Sequence, residues 1–192
     1  MFDFLRQSLS IAVLLFVLGT VCNGQESSDS VQTLSIRDRL LRVEEKLNEL
    51  RSQSKPTNIE LLRKCERELK SILESDPQTV FRSQVEVDSD FVNEQLANHD
   101  LLVAQFYMSK AGGHGLRGAE ARLSNIVENY PKFSKLDEVL FRLATVMIEE
   151  EKLDEGSRLL QRLICRYPDS EFVPPAFAQL YNIGVGSWQN CE

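Results

Sequence analysis

Apolar positions along this chain fall at intervals of three and four, the spacing that lines one face of a helix. The clearest series is written twice. Leu116, Leu123 and Ile126 lead to Tyr130-Pro131 and on to Leu143, while Leu153, Leu160 and Leu163 lead to Tyr167-Pro168 and on to Leu180. Both copies keep one offset of 37, from Leu116 to Leu153 as from Pro131 to Pro168. A helical phrase repeated at a fixed offset predicts stacked hairpins, because one hairpin cannot bury its apolar stripe alone. The expected fold is all-α: helical hairpin repeats over 98–183, preceded by N-terminal helices over 34–97 and followed by a tail over 184–192. Leu143 and Leu160 are expected to lock the two helices of one hairpin.

The N-terminal helical region divides in three. Over 36–51, Ile36, Leu40, Val43, Leu47 and Leu50 alternate by four and three, the seam of a short coiled coil or the stripe of a helix docked on its own chain. Pro56 breaks that segment. Thr57 to Glu60 has the spacing of a capping box, opening a helix over 57–75 with Ile59, Leu62, Leu69, Ile72 and Leu73 on one face and Cys65 close to it. Asp76-Pro77 ends it. A long helix over 80–97 continues the apolar spacing to Met108, either as one helix or as two that meet near Asn98. Gly112 to Gly115 then turns the chain.

Charge and composition narrow the function. The chain has 192 residues and a net charge of −7, which argues against nucleic acid as a partner, since phosphate binding needs a basic face. Glu86, Asp88, Asp90, Glu94 and Asp100 form an acidic run, read as a solvated face or as a docking surface for a basic partner. There are only two histidines, His99 and His114, with no cysteine or carboxylate at metal-ligand spacing. The Gly112–Gly115 turn lacks the preceding strand and the Lys-Ser/Thr of a phosphate loop. No catalytic constellation, cofactor or metal is expected, and an envelope enzyme is the remote alternative.

Residues 1–24 read as an export signal, with Ile11 to Leu18 too short to span a bilayer, followed by a polar tether over 25–33. Leu18 to Cys22 is similar to a bacterial lipobox, which makes Cys22 a candidate lipidation site, although Val21 stands where a small residue is usual. The competing expectation is removal after Gly24, Cys22 going with the signal. Cys65, Cys165 and Cys191 would then remain, enough for one disulfide and a spare thiol.

The repeat resembles the tetratricopeptide family. Leu140, Leu143, Ala144 and Met147 fit its first helix, and Gly156, Leu160 and Pro168 its second, with intervals of 12 from Ala144 to Gly156 and from Gly156 to Pro168. Upstream, Val103, Ala104 and Tyr107 lead to Ala119, Leu123 and Pro131 across a longer interval of 15 from Ala104 to Ala119. That resemblance implies a right-handed α-solenoid whose first helices line a concave face. Leu101, Gln105 and Met108 from one hairpin, with Phe141, Thr145 and Ile148 from the next, would form an apolar partner groove. The protein's own N-terminal helices are the alternative occupant.

The phrase from Leu101 to Tyr107, with the Tyr-Pro repeat after it, is similar over about 80–181 to the outer-membrane assembly lipoproteins of the BamD (YfiO) family. The resemblance implies a non-catalytic scaffold that binds a protein or peptide in the barrel-assembly machinery, at the periplasmic face of the outer membrane or in the periplasm. A competing resemblance, carried by Ile36–Leu50, Pro56 and Tyr167 to Ser170, is to the periplasmic coordinator family of the Tol–Pal system.

Overall fold

The structure, a computed structural model, describes residues 35–52, 58–110 and 113–185. The expected signal and tether, Cys22, Thr57 and Cys191 lie outside these residues. Seven helices follow one another among the described residues. They are α1 over 35–52, α2 (Ile59–Ser75), α3 (Arg82–Met108), α4 (Gly113–Asn129), α5 (Leu136–Glu149), α6 (Leu153–Arg166) and α7 (Val173–Asn182). Helix α3 is continuous through Asn98, so the repeat begins inside a helix. The cap of α2 falls on Asn58, whose side-chain Oδ1 accepts the Leu61 N–H at 3.0 Å.

Cα packing separates two units, one of residues 1–54 and 67–88, the other of 55–66 and 89–192. In the first, Ile36, Leu40, Val43, Leu47 and Leu50 of α1 are all buried, as are Leu69 and Ile72 of α2 and Val85 of α3. The seam of α1 is therefore a docked stripe within its own chain. Arg39 fixes it to α2, donating to Glu68 at 2.8 Å and Ser71 at 2.9 Å. This guanidinium holds the Glu68 carboxyl below its ordinary range. Arg51 reaches Asp88 at 3.1 Å, and Gln84 donates to the other oxygen of that fully buried carboxylate.

In the second unit α5 is the shared wall. Leu136, Val139, Leu143 and Val146 face a cluster with Ala97, Leu101 and Ala104 of α3 and Ala119, Leu123 and Ile126 of α4. Leu140 and Ala144 lie about 100° round the helix, in a cluster with Leu160, Leu163, Ala176 and Leu180. Leu143 and Leu160 thus stand in different cores, and the residues that meet Leu160 across the α5–α6 hairpin are Leu140 and Ala144. The reason is helical: 140, 144 and 143 share a turn, but three residues of rotation carry Leu143 to the α4 side. Burying a leucine in such a cluster stabilises by about 1.5–3 kcal/mol.

The turns repeat as strictly as the helices. Tyr130 donates to Ile126, Phe133 to Tyr130 and Leu136 to Phe133; Tyr167 donates to Leu163, Ser170 to Tyr167 and Val173 to Ser170. The backbone bonds keep the sequence offset although the side chains differ. Phe133 is buried, whereas Ser170 donates to Asp137 at 2.5 Å. Small residues permit the close helix approach. A Cβ on Gly156 would sit 2.7 Å from Ile148 Cγ1 and 3.1 Å from the Ala144 carbonyl.

The acidic run on α3 is divided: Glu86 and Asp90 are exposed, as a solvated face requires, but Asp88 and Asp100 are not. Asp88 and Asp100 are buried, the latter accepting from Arg122 at 3.0 Å and Asn125 at 2.7 Å. Asp90 takes Lys132 at 3.0 Å, Glu86 takes Arg82 at 2.8 Å, and Glu94 receives the Ser134 backbone N–H and hydroxyl. A carboxylate on a helix looks solvent-facing in sequence whenever its cation comes from a distant element.

Candidate partner-binding face

Helices α3, α5 and α7 open successive hairpins, and side chains join them in two rungs. Gln105 Nε2 donates to Glu138 Oε1 at 3.1 Å, and Arg142 Nε donates to the same oxygen at 2.7 Å. Gln179 Nε2 donates to the Thr145 hydroxyl at 2.9 Å, and that hydroxyl donates in turn to the Phe141 carbonyl at 3.0 Å. The Gln179 Oε1 is buried and accepts no hydrogen bond. Apolar surface lies between the rungs. Phe141 stacks on Phe172 with ring centroids 5.4 Å apart, and Ile148 packs on the α5–α7 core beside Gly156.

The six expected groove residues divide. Leu101 is core, 2 % exposed, among the residues facing α4. Met108, Phe141 and Ile148 are half-buried, each resting on a core cluster, and Gln105 and Thr145 are half-buried members of the rungs. The face is therefore mixed rather than an apolar strip. Sequence reading missed Glu138, Arg142, Phe172 and Gln179, and it placed the exposed apolar residues of α3 one position too early. Leu102 and Phe106 are the exposed pair, each 57 % accessible, and Lys110 Nζ lies 4.6 Å over the Phe106 ring.

A second concavity, of about 710 Å³, is lined by Asp90, Phe91, Glu94, Tyr130 and Lys132 among others. Its carboxylates are committed to Lys132 and Ser134 as above, and burial pushes the Tyr130 phenol up from its ordinary value. His99 is half-buried on α3, and His114 is exposed with Arg117 Nη2 at 3.0 Å from its Nδ1. Among the described residues no group of three or more His, Cys, Asp and Glu is placed to hold a metal ion, and no helix is long and apolar enough to cross a membrane.

Comparison with known proteins gives the family. No curated protein matches the chain. A family model, YfiO, described as outer membrane lipoprotein, matches residues 38–152. The match begins well before the segment whose wording resembled that family, so α2 and most of α1 lie within the matched region. With the match covering more than half of the chain and the helical hairpins in place, this protein belongs to the YfiO family of outer membrane lipoproteins.

Proposed function

We propose that this protein is a non-catalytic scaffold of the outer-membrane protein assembly machinery, holding a protein or peptide partner at the periplasmic face of the membrane. One observation supports the reading above others: the first helices of successive hairpins, α3, α5 and α7, are cross-tied into one surface by the Gln105–Glu138–Arg142 and Thr145–Gln179 rungs. A cross-tied surface is preorganised, so a partner need not order it on binding. Half-exposed polar groups beside Phe141, Ile148 and Met108 suit an extended peptide or a helix, whose apolar side chains alternate with groups that need hydrogen bonds. The proposed site comprises Gln105, Met108, Phe141, Thr145 and Ile148, with Leu102 and Phe106 at its rim in place of the buried Leu101. Exposed leucine and phenylalanine side chains that are adjacent on one helix are costly in water, and a partner would relieve that cost.

The test is capture from solubilised envelope. The wild-type chain is expected to recover barrel-assembly components, and a Leu102→Ser, Phe106→Ser double variant to lose at least tenfold of that recovery with an unchanged melting temperature. Val87→Ser, at an exposed apolar position of the first unit, serves as the control. Recovery of Tol–Pal components instead, or capture that ignores the double variant, would overturn the reading.

A further inference from the structure

Helix α6 carries Arg158, Arg162 and Arg166, spaced by four, so that the three form one row along it. Arg158 lies opposite the buried Gly156, Leu160 and Leu163, and the row drifts round the helix by about 40° per step. Among the described residues none of the three has an ion pair or a side-chain hydrogen bond, whereas Arg39, Arg51, Arg82, Arg122 and Arg142 each hold a carboxylate. We propose that this row is a contact surface for anionic phospholipid, laying the outer side of α6 on the headgroups of the membrane.

The repeat supplies its own comparison. At the offset of 37 the matching positions on α4 are Ala121, Asn125 and Asn129, with the same exposure in each case and no charge. Packing therefore does not require arginine there. The helix dipole accounts for Asp154 and Glu155 in the first turn of α6 and for Arg166 in the last, but Arg158 and Arg162 stand between them. The row is a local reversal of sign on a chain of net charge −7.

What the row lacks narrows the partner. A protein interface needs an apolar core inside its polar rim. Leu153 is the exposed large apolar residue of α6, and it lies about 140–180° round the helix from all three arginines. A headgroup layer needs only charge, and a guanidinium grips a phosphate through two parallel N–H bonds. The row spans about 12 Å along the convex side of a single helix, which suits a flat surface better than a chain. Membership of a family of outer membrane lipoproteins brings such a surface within reach. Asp154 and Glu155 before the row, with Asp169 and Glu171 after it, confine the attraction to these three side chains. The surface is independent of the partner face, none of whose residues lies on α6.

The test mixes full-length protein from its native envelope with vesicles of phosphatidylcholine, alone or with phosphatidylglycerol added, and maps phenylglyoxal labelling arginine by arginine. Each basic side chain near an anionic membrane is worth about fivefold in binding, so three give about a hundredfold before the nearby carboxylates subtract. Labelling of Arg158, Arg162 and Arg166 should therefore fall at least about tenfold on the anionic vesicles only. Arg67, exposed on α2, should keep its labelling. Added salt should restore labelling of the row. Arg162→Gln should weaken the protection of Arg158 and Arg166 by about fivefold, with an unchanged melting temperature. Equal labelling on both vesicle types overturns the proposal, as does protection that extends equally to Arg67. Inorganic phosphate or soluble polyglutamate that protects the row as well as the vesicles do would make it a site for a dissolved anion or an acidic protein, and also overturns it.

Discussion

The hairpins α3–α4 and α5–α6 solve one packing problem in two ways. In α5–α6 the turn is minimal. Glu151 sits at φ +63°, the Glu151 N–H bonds to the Ile148 carbonyl and the Lys152 N–H to that of Met147, so a Schellman turn passes directly into α6. Close approach then falls at Gly156, against Ala144 and Ile148. In α3–α4 the turn is longer, and the position matching Gly156 is Ala119, fully buried against its cluster. The tight contacts have moved to the start of α4. A Cβ on Gly115 would lie 2.7 Å from both the Tyr107 and Lys110 carbonyls, and one on Gly118 would lie 2.9 Å from the Tyr107 ring. Lengthening a turn shifts which residue must be small without removing the need for one.

The comparison can be broken most forcefully at the leucines each hairpin shares. Leu160→Ala and Leu123→Ala should each cost about 2–5 kcal/mol in denaturant unfolding. If α5 is a wall between two cores, Leu160→Ala should also raise amide exchange in α7 while Leu123→Ala leaves α7 protected. Equal exchange in both variants would mean the cores are not separate.

The glycines come next. Gly115→Ala must displace two backbone carbonyls and should cost about 1–3 kcal/mol despite alanine's helical advantage. Gly156→Ala meets first an isoleucine carbon able to change rotamer, so its loss in the same unfolding assay should be smaller. A reversed order would show that the α3–α4 approach is less tight than the distances require.

A gain is expected at the α5–α6 turn. Glu151 holds a left-handed conformation that a Cβ disfavours, so Glu151→Gly should stabilise by about 0.5–1 kcal/mol. Thermal melts would register this as a small rise.

The smallest effect is in pH. Lys152 Nζ contacts Glu120 at 2.7 Å and Glu150 at 2.7 Å, which raises the lysine above its ordinary 10.5, chiefly through Glu120, and lowers Glu150 below 4.5 through Lys152. A depressed carboxylate stabilises fully above its unfolded value and loses that contribution as pH falls through the folded one. A raised lysine contributes below 10.5 and loses its contribution at higher pH. The wild-type melting temperature should therefore bend slightly below about pH 4.5 and again above about pH 10.5, and Lys152→Met should flatten both bends.

Helix positions, the 37-residue repeat, the need for small residues at Ala144 and Gly156, and the buried stripes of α1 and α2 were legible in the sequence. They depend on local periodicity and on turn chemistry carried by neighbouring residues. Which residue meets which across helices was decided by tertiary structure. Leu143 and Leu160 parted because α5 serves two cores, and Leu101 went inside while Leu102 stayed out because one residue is a rotation of about 100° on a helix. Asp88 and Asp100 became buried because Arg51 and Arg122, far along the chain, supply the charge that makes a buried carboxylate tolerable. Periodicity tells a helix which side to bury; only packed neighbours determine against what.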